Sequence, residues 1–506
     1  MTISIVDYAI VGVYLVGMIG LGYYLYRKSP SFEEYLIAGR SMTTPILVCT
    51  LASTYYGLDV LFGTSEVGYN DGVVAFFGYS NLSLGIYIFA ALALSKRLRQ
   101  AKFTSLPDIL QRHYGRPASV VGALASIFYS LPALSLFALG RICHVMFGMD
   151  PMFGALLLGL VALVYTLLGG LWAVAITDTV QFVLMCLTLA IGIPLLMSEV
   201  GGFDAVSVIA PDGYFDWFGG MPVWLMIAYA ATGISILVDP GFYQRMFAAA
   251  DYRMARNAML ISVFVWLAYD WLVTAGGMLA AAAVSSGALP ADMHSNDALL
   301  MAVTMALPVG LVGIFLAGVL ATAMSTIDSY TLVAGANVSY DLWRPLARPN
   351  ATDKELVRAT KLGVVLAWTL GYALAFLFDK LMALWVFTAT ALTSTVLVPI
   401  FLGLYWKGKK TAMSGVLSCL TGLGSVIVYY VSIQQLGVAD EVYGTYIWTF
   451  TLGGESFELW QEYALYFSLP MSLLGFLIGN RIGEPHIPTL PAEDADPEDP
   501  SDEVAA

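Results

Sequence analysis

Apolar stretches alternate with short polar segments along this chain from residue 5 to residue 481. Most of these stretches hold about 20 residues or more, the length at which an α-helix crosses a hydrocarbon core of roughly 30 Å. The polar and turn-forming residues between them set the boundaries of thirteen predicted membrane-spanning helices. The predicted spans cover about residues 5–26, 44–69, 73–98, 117–147, 151–169, 174–199, 222–248, 256–285, 309–343, 359–378, 381–406, 411–435 and 460–481.

The composition supports this pattern. Hydrophobic residues make up 59% of the chain and charged residues only 12%, whereas a soluble protein carries roughly 25% charged residues. The predicted fold class is therefore an all-α polytopic membrane protein with the lipid bilayer as its partner. The net charge of −13 is concentrated in residues 483–506, which hold eight acidic and no basic residues. We expect a disordered acidic tail there, and no basic surface indicates a nucleic-acid partner.

The positions of Lys and Arg predict the orientation in the membrane. If the N-terminus lies outside, 21 of the 23 basic residues, Arg245 among them, fall in cytoplasmic loops or at cytoplasmic helix ends. This is the asymmetry of the positive-inside rule. Of the two exceptions, Lys380 lies outside, and Arg141 lies within the fourth span, from which we expect it to extend to the interface. We predict a protein of the plasma (cell inner) membrane, with the N-terminus outside and the C-terminus cytoplasmic.

The segments outside the spans limit the function. None before the tail exceeds about 25 residues, which is less than a folded domain needs, and no nucleotide-binding GxxxxGK[ST] motif occurs. Energy for any transport must therefore come from an ion gradient. The four histidines are scattered and no nucleophile–base group is visible, so we do not expect an enzyme. No feature indicates an obligate protein partner.

Spans two to six and seven to eleven form two groups of five helices. Because five is odd, the second group enters the membrane from the opposite side, so the groups can be related only as an inverted repeat. We predict a peripheral first helix and cytoplasmic loop over 1–43, a first repeat over 44–199, a second repeat with outer loops over 200–435, an outer loop and last helix over 436–482, and the acidic tail over 483–506.

The leading helix of each group is the one whose apolar pattern fails. Residues 51–59 read LASTYYGLD and residues 233–241 read GISILVDPG, each about halfway through its span. We expect both helices to unwind there, since irregular backbone at this depth is tolerated where it lines a cavity or is buried in protein. Asp239 either caps the half-helix that begins at Pro240 or contacts a solute, and the two roles are compatible. Asp59 is an acid within the membrane and indicates a functional role.

The ninth span carries a line of hydroxyl groups. Their spacing of i, i+3, i+4 and i+7 places them on one helical face, with Asp328 beside them. Such a face can supply oxygen ligands to a hard cation when it lies opposite unwound carbonyls, although the hydroxyls can also bond to carbonyls of their own helix. Asp178, in the sixth span, either belongs to the same ion path or pairs with a base. The hydroxyl residues are Thr322, Ser325, Thr326 and Ser329.

Four segments together resemble the sodium/solute symporter family, which includes sodium-coupled sugar, proline, sialate and choline carriers. They read EYLIAGR at 34–40, GGLWAVAITDTVQ at 169–181, FYQRMFAA at 242–249 and MSTIDS at 324–329. The resemblance runs from about residue 5 to 481. It implies a LeuT-type core of ten helices in a five-plus-five inverted repeat, with sodium as the coupling ion.

The resemblance also implies ion ligands. The backbone carbonyls of Ser53, Tyr56 and Thr322 and the hydroxyls of Ser325 and Thr326 would hold one sodium ion. Members with a second sodium site use positions that match Asp178, Ser325, Asp328 and Ser329. Asp328 is an acid where some relatives have a hydroxyl, so either a second sodium ion or a proton would bind there.

The substrate region departs from that of the sugar carriers. Tyr55, Tyr56 and Asp59 occupy the first break, Asp239 stands where choline carriers place an aromatic residue, and Tyr79 on the third span faces the same region in our prediction. We hypothesise that a carboxylate and tyrosine faces hold a small solute with an ammonium group, an amine, a zwitterion or an amino acid. The alternatives are a proton-coupled carrier, a sodium symporter of a neutral or carboxylate solute, a channel and a membrane sensor. The sequence assigns no role to Asp270.

Overall fold

The computed structural model describes residues 3–26, 31–219, 222–377, 381–440 and 445–486, without the side chains of residues 26, 59, 79–82 and 381–383. Most of the predicted acidic tail and Lys380 lie outside the described residues. Helices account for nearly all of the regular structure. In chain order they are α1 (Ile5–Tyr26), α2 (Phe32–Ile37), α3 (Thr44–Tyr55), α4 (Leu58–Asp71), α5 (Asn81–Gln100), α6 (Leu106–Tyr114), α7 (Arg116–Tyr129), α8 (Ala133–Phe147), α9 (Pro151–Val200), α10 (Gly202–Ile209), α11 (Val223–Thr232), α12 (Pro240–Ala248), α13 (Tyr252–Ser285), α14 (Ser295–Ala306), α15 (Leu311–Ala336), α16 (Arg344–Ala347), α17 (Asp353–Ala375), α18 (Leu381–Tyr405), α19 (Ala412–Leu436) and α20 (Ala464–Ile482).

The described helices provide the predicted number of membrane crossings. Ten helical stretches are long and apolar enough to span a bilayer, and the bent pair α3–α4 makes an eleventh. The 50 residues of α9 are too many for one crossing, and Gly170 interrupts the helix with φ 61° and ψ −158°. Counting α9 as two crossings and adding the 23-residue α17 gives thirteen within the described part of the chain.

Gly170 occupies a conformation that only glycine adopts without strain. A Cβ atom at this position would lie 2.4 Å from the carbonyl oxygen of Tyr35, which belongs to the short helix α2. The glycine therefore permits both the kink between two crossings and the close approach of α2.

A small antiparallel sheet interrupts the helical pattern before α20. Its strands β1 (Val438–Asp440), β2 (Thr445–Leu452) and β3 (Glu455–Trp460) pair in the order β1-β2-β3. Phe450 lies opposite Phe457 in the register, and the two rings stack at 5.7 Å. The sequence predicts only an outer loop at this position, because three short strands between two long spans carry little hydropathy signal.

Helix α14 lies in the connection between α13 and α15 and is joined to two other helices. Arg141 of α8 forms a two-pronged ion pair with Asp297, with Nε–Oδ1 and Nη2–Oδ2 distances of 2.7 and 3.1 Å. The Ser295 hydroxyl donates to Glu66 of α4 at 3.2 Å. Arg141, which the sequence predicts to extend to the interface, thus pairs with an acid on α14, and the pair is partly exposed.

Helix α1 is fixed to the start of α15 through a buried carboxylate. Asp7 is 1% exposed, and its Oδ1 accepts from the backbone N–H groups of Gly310 and Gly313 at 2.8 and 2.7 Å. These N–H groups lie at a helix N-terminus, where a negative charge is stabilised.

A buried guanidinium joins the two groups of five helices. Arg245 lies in α12 with its side chain fully buried, and its Nη2 is 3.6 Å from Oδ2 of Asp178 in α9. The same nitrogen donates to the hydroxyl of Thr54 in α3 at 2.8 Å. The side chain of Arg245 therefore joins helices from both predicted repeats.

Replacing Gly170 by Ala should lower the stability by roughly 2 kcal/mol or more, since the new Cβ meets the Tyr35 carbonyl and the backbone is strained. Thermal unfolding of the purified protein in detergent measures the effect. Gly17→Ala on α1 is the matched control, because no atom lies within 4 Å of its new Cβ. Equal melting temperatures for the two variants would contradict the close packing of α2.

Replacing Arg245 by Gln should destabilise the protein by about 3–5 kcal/mol, because Asp178 would remain as a buried charge without its cation. Adding Asp178→Asn should recover part of the loss in the same unfolding measurement. The control is Arg141→Gln, at a partly exposed pair, where the expected loss is about 0–1 kcal/mol. A double variant less stable than Arg245→Gln alone would argue against the pair.

Candidate functional site

The first predicted break is confirmed. Helix α3 ends at Tyr55, α4 begins at Leu58, and the two axes differ by 58°. The last backbone bond of α3 runs from the N–H of Tyr56 to the carbonyl of Ala52. The following carbonyls, those of Ser53 and Thr54, accept instead from side chains of another helix.

The donors to these carbonyls are the hydroxyls predicted on the ninth span, which is α15. Ser325 Oγ lies 2.8 Å from the Ser53 carbonyl, and Thr326 Oγ1 lies 3.2 Å from the Thr54 carbonyl. Both hydroxyls also lie 3.2 Å from the carbonyl of Thr322 on their own helix. The two hydroxyls therefore face the carbonyls of the unwound segment and also bond back to a carbonyl of their own helix.

This arrangement gathers neutral oxygen atoms at one point. Ser325 and Thr326 supply hydroxyl oxygens, Ser53 and Thr322 supply carbonyl oxygens, and Tyr56 lies at the break itself with φ −90° and ψ 72°. Hard cations prefer oxygen ligands, and a hydroxyl can turn its hydrogen away to offer a lone pair. The geometry suits a small hard cation between α3 and α15.

The residues of the implied second ion position lie around Arg245. Arg245 Nη2 donates to Ser329 Oγ at 2.5 Å, and Ser329 Oγ donates to Asp328 Oδ1 at 3.1 Å. Asp178 Oδ2 accepts from the hydroxyls of Thr50 and Thr54. Arg245 Nη2 lies 3.6 Å from the same oxygen. Asp178 therefore pairs with a base, which is one of the two alternatives from the sequence.

The second predicted break is also confirmed. A 3₁₀ segment over Gly233–Val238 ends at Asp239, whose Oδ1 accepts from the N–H of Phe242 at 2.6 Å and so caps α12. Its Oδ2 accepts from the hydroxyls of Tyr129 and Tyr330 at 2.9 and 2.7 Å. The capping role predicted for Asp239 is thus observed, and the same carboxylate orients two tyrosines.

A cavity of about 160 Å³ lies beside the first break. Tyr55, Tyr129 and Tyr330 line it, as does Thr326, so the cavity adjoins the cluster of oxygen atoms. Asp270 also lines it, and no Lys, Arg or His occurs among the lining residues that the structure describes. The described lining thus combines aromatic and aliphatic side chains with one carboxyl group.

The predicted solute residues are distributed unevenly around this cavity. Tyr55 lines it, whereas Asp239 lies behind Tyr129 and Tyr330. Asp59 and Tyr79 lie in helical segments, but their side chains are outside the described part of the chain. Asp270, an acid within an apolar span, carries the same sequence signal as Asp59, yet the sequence gives no face for it.

Comparisons with known proteins agree with this geometry. A model of the sodium:solute symporter family matches residues 35–422. Sodium/proline symporters of Staphylococcus aureus, for example those of strains JH9 and COL, are 26% identical over 463 residues, which cover 87% of this chain and 88% of theirs.

Solved structures show the same fold at low sequence identity. A Na⁺-coupled sialic acid symporter in a substrate-bound, outward-open state superposes with a TM-score of 0.80 at 15% identity, covering 95% of this chain and 99% of that chain. The transporter MhsT in complex with L-phenylalanine gives 0.51 at 14% identity, with coverages of 85% and 97%. The chain therefore belongs to the sodium:solute symporter family and has a LeuT-type fold, with sodium as its coupling ion.

Proposed function

We propose that this protein carries a small organic solute with an ammonium group into the cell together with sodium, by alternating access. It would lie in the plasma (cell inner) membrane, with the N-terminus outside and the C-terminus cytoplasmic, as the distribution of basic residues predicts. The two five-helix groups, over 44–199 and 200–435, would rock about the midplane to expose the site to each side in turn.

The observation that carries this proposal is the contact between α15 and the first break. Sodium would bind to the carbonyls of Ser53, Tyr56 and Thr322 and to the hydroxyls of Ser325 and Thr326. The support is that both hydroxyls already lie within hydrogen-bond distance of carbonyls from both helices. Bound there, the ion would tie α3 to α15 and hold the unwound segment in place for the solute.

The proposal rests on this first ion position. At the second position, Asp178, Asp328 and Ser329 are the ligands that the family resemblance implies. The guanidinium of Arg245 lies 2.5 Å from Ser329 Oγ and 3.6 Å from Asp178 Oδ2, so a cation at this position would share the two carboxyl groups with a fixed positive charge.

The solute class rests on the cavity. Tyr55, Asp59, Tyr79 and Asp239 are the residues that the sequence proposes for solute binding, and the lining supplies tyrosine rings and a carboxylate without a described cationic side chain. Aromatic faces and carboxylates attract ammonium groups. The sodium/proline symporters among the relatives make L-proline the first solute to test.

Uptake into liposomes containing the purified protein tests the function. With an inward sodium gradient, L-proline or another amine should accumulate, and sugars and amine-free carboxylates should not. Accumulation driven by a pH gradient in sodium-free vesicles would instead support the proton-coupled alternative. Sodium-driven uptake of sugars without competition by amines would eliminate the ammonium solute.

Replacing Thr326 by Ala should raise the sodium concentration for half-maximal uptake by about tenfold, the equivalent of about 1.4 kcal/mol, because one ion ligand is lost. The order of preference among solutes should change less. Thr331→Ala is the matched control, since this hydroxyl of α15 donates to the Ile327 carbonyl of its own helix. Unchanged sodium activation in Thr326→Ala would remove the proposed sodium site.

A further inference from the structure

The geometry points to Asp270 as the anchor for the ammonium group of the solute, and to Tyr56 as the residue that links this anchor to the sodium ion. The inference rests on the proposed sodium-coupled symport and specifies the group that binds the solute. It also explains how the binding of the ion and the binding of the solute are coupled, since Tyr56 contacts both proposed sites.

Tyr56 belongs to both regions at once. Its backbone lies at the end of α3, where its carbonyl is a proposed sodium ligand, and its hydroxyl reaches α13, 3.4 Å from the Trp266 carbonyl. The hydroxyl donates to Asp270 Oδ2 on α13. One residue thus spans from the proposed ion position to the carboxylate that lines the cavity.

The ring of Tyr56 is held firmly between these ends. It stacks on Trp266 with ring centres 5.8 Å apart and planes 15° apart, and it meets Tyr269 edge-on at 4.9 Å. The side chain is 4% exposed. Because the ring cannot turn independently of this packing, a shift of the Tyr56 backbone must move the hydroxyl, and with it the donor to Asp270.

Asp270 has the properties of a cation anchor. It is 2% exposed and lines the cavity. A carboxylate removed from water is costly unless a cation or several donors compensate it. An ammonium group in the cavity would be attracted by this carboxylate, which lies in the cavity lining.

Aromatic rings complete the proposed ammonium site. Tyr55 and Tyr87 line the same cavity, and both pack against Trp266, with ring centres 5.4 and 5.0 Å away. An ammonium group beside Asp270 would therefore lie close to aromatic faces, which attract cations. A neutral sugar would lack the attraction of a positive charge to the carboxylate and the rings.

The coupling follows from the shared residue. Sodium on the Tyr56 carbonyl would fix the position of the phenol and so orient Asp270 for the solute. Binding linkage requires the reverse as well, so the solute must tighten sodium by the same factor. If Asp270 had only a structural role, its removal would leave both affinities and their coupling unchanged in the folded protein.

Binding to the wild-type protein in detergent tests the anchor without any variant. The probes are radiolabelled L-proline, with choline as a second labelled amine, and unlabelled pyrrolidine and cyclopentanecarboxylate as competitors. We expect competition by pyrrolidine, which keeps the amine, and little by cyclopentanecarboxylate, which lacks it. The reverse order, or sodium-driven uptake of sugars with no binding of either amine, overturns the anchor while sodium-coupled symport stands. Absence of sodium-driven uptake for every solute class would instead refute the proposed function.

Two substitutions separate the anchor from the link. Asp270→Asn should weaken amine binding by about 30-fold, the loss expected for a buried charge partner, and Asp270→Glu should restore part of it. Tyr56→Phe keeps the ring and the carbonyl, and it should reduce about tenfold the factor by which the amine tightens sodium. Unchanged amine affinity in folded Asp270→Asn, or unchanged coupling in Tyr56→Phe, overturns the respective role.

Matched controls lie outside the cavity. Asp341→Asn removes an acid that is 3% exposed and accepts from Ser105. Tyr114→Phe removes a buried hydroxyl that donates to the Pro399 carbonyl at 2.7 Å. Both controls should keep the wild-type coupling factor. Equal losses in the controls would show that any buried deletion has this effect, and would overturn the specific roles of Asp270 and Tyr56.

Discussion

A backbone carbonyl that leaves a helix inside a membrane must find a donor, a cation or the water of a cavity, because lipid offers no hydrogen bond. At the first break, the carbonyls of Ser53 and Thr54 meet this requirement with the hydroxyls of Ser325 and Thr326. The same oxygen atoms could contact an ion, so one constraint accounts for both the stability of the break and the sodium binding that we propose there. The direction of α4, the position of Tyr56 and the shape of the cavity all depend on this contact.

The first break involves neutral groups, whereas the second break and its surroundings contain buried charges that other groups of the protein compensate. Asp239 is satisfied by one backbone N–H group and two phenols, and the phenol rings face the cavity. Arg245 instead gathers acceptors from α3, α9 and α15 around a fixed positive charge. In this conformation a side chain of the protein, and not a bound ion, therefore connects the two groups of helices.

The sequence was sufficient for the framework of the site. The number of crossings, both breaks and the line of hydroxyls on α15 follow from hydropathy, turn residues and helical spacing, and all are confirmed. Such reasoning could not predict the neighbours of the Asp270 and Arg245 side chains. Periodicity places an acid on a helix but does not say which neighbour the side chain faces, and Arg245 counted as one more cytoplasmic charge because its fully buried position depends on three distant helices. The partner of Arg141 was not predictable for the same reason, since Asp297 is 156 residues away.

The carboxylate of Asp7 has a mechanical consequence. It binds α1, which stands outside the two repeats, to the first turn of the helix that carries Ser325 and Thr326. The opposite side of α1 is open to lipid, with Val13 and Val16 more than two thirds exposed. A change in bilayer thickness that tilts α1 would therefore pull on α15, and through it the surrounding lipid would affect the ion site that we propose.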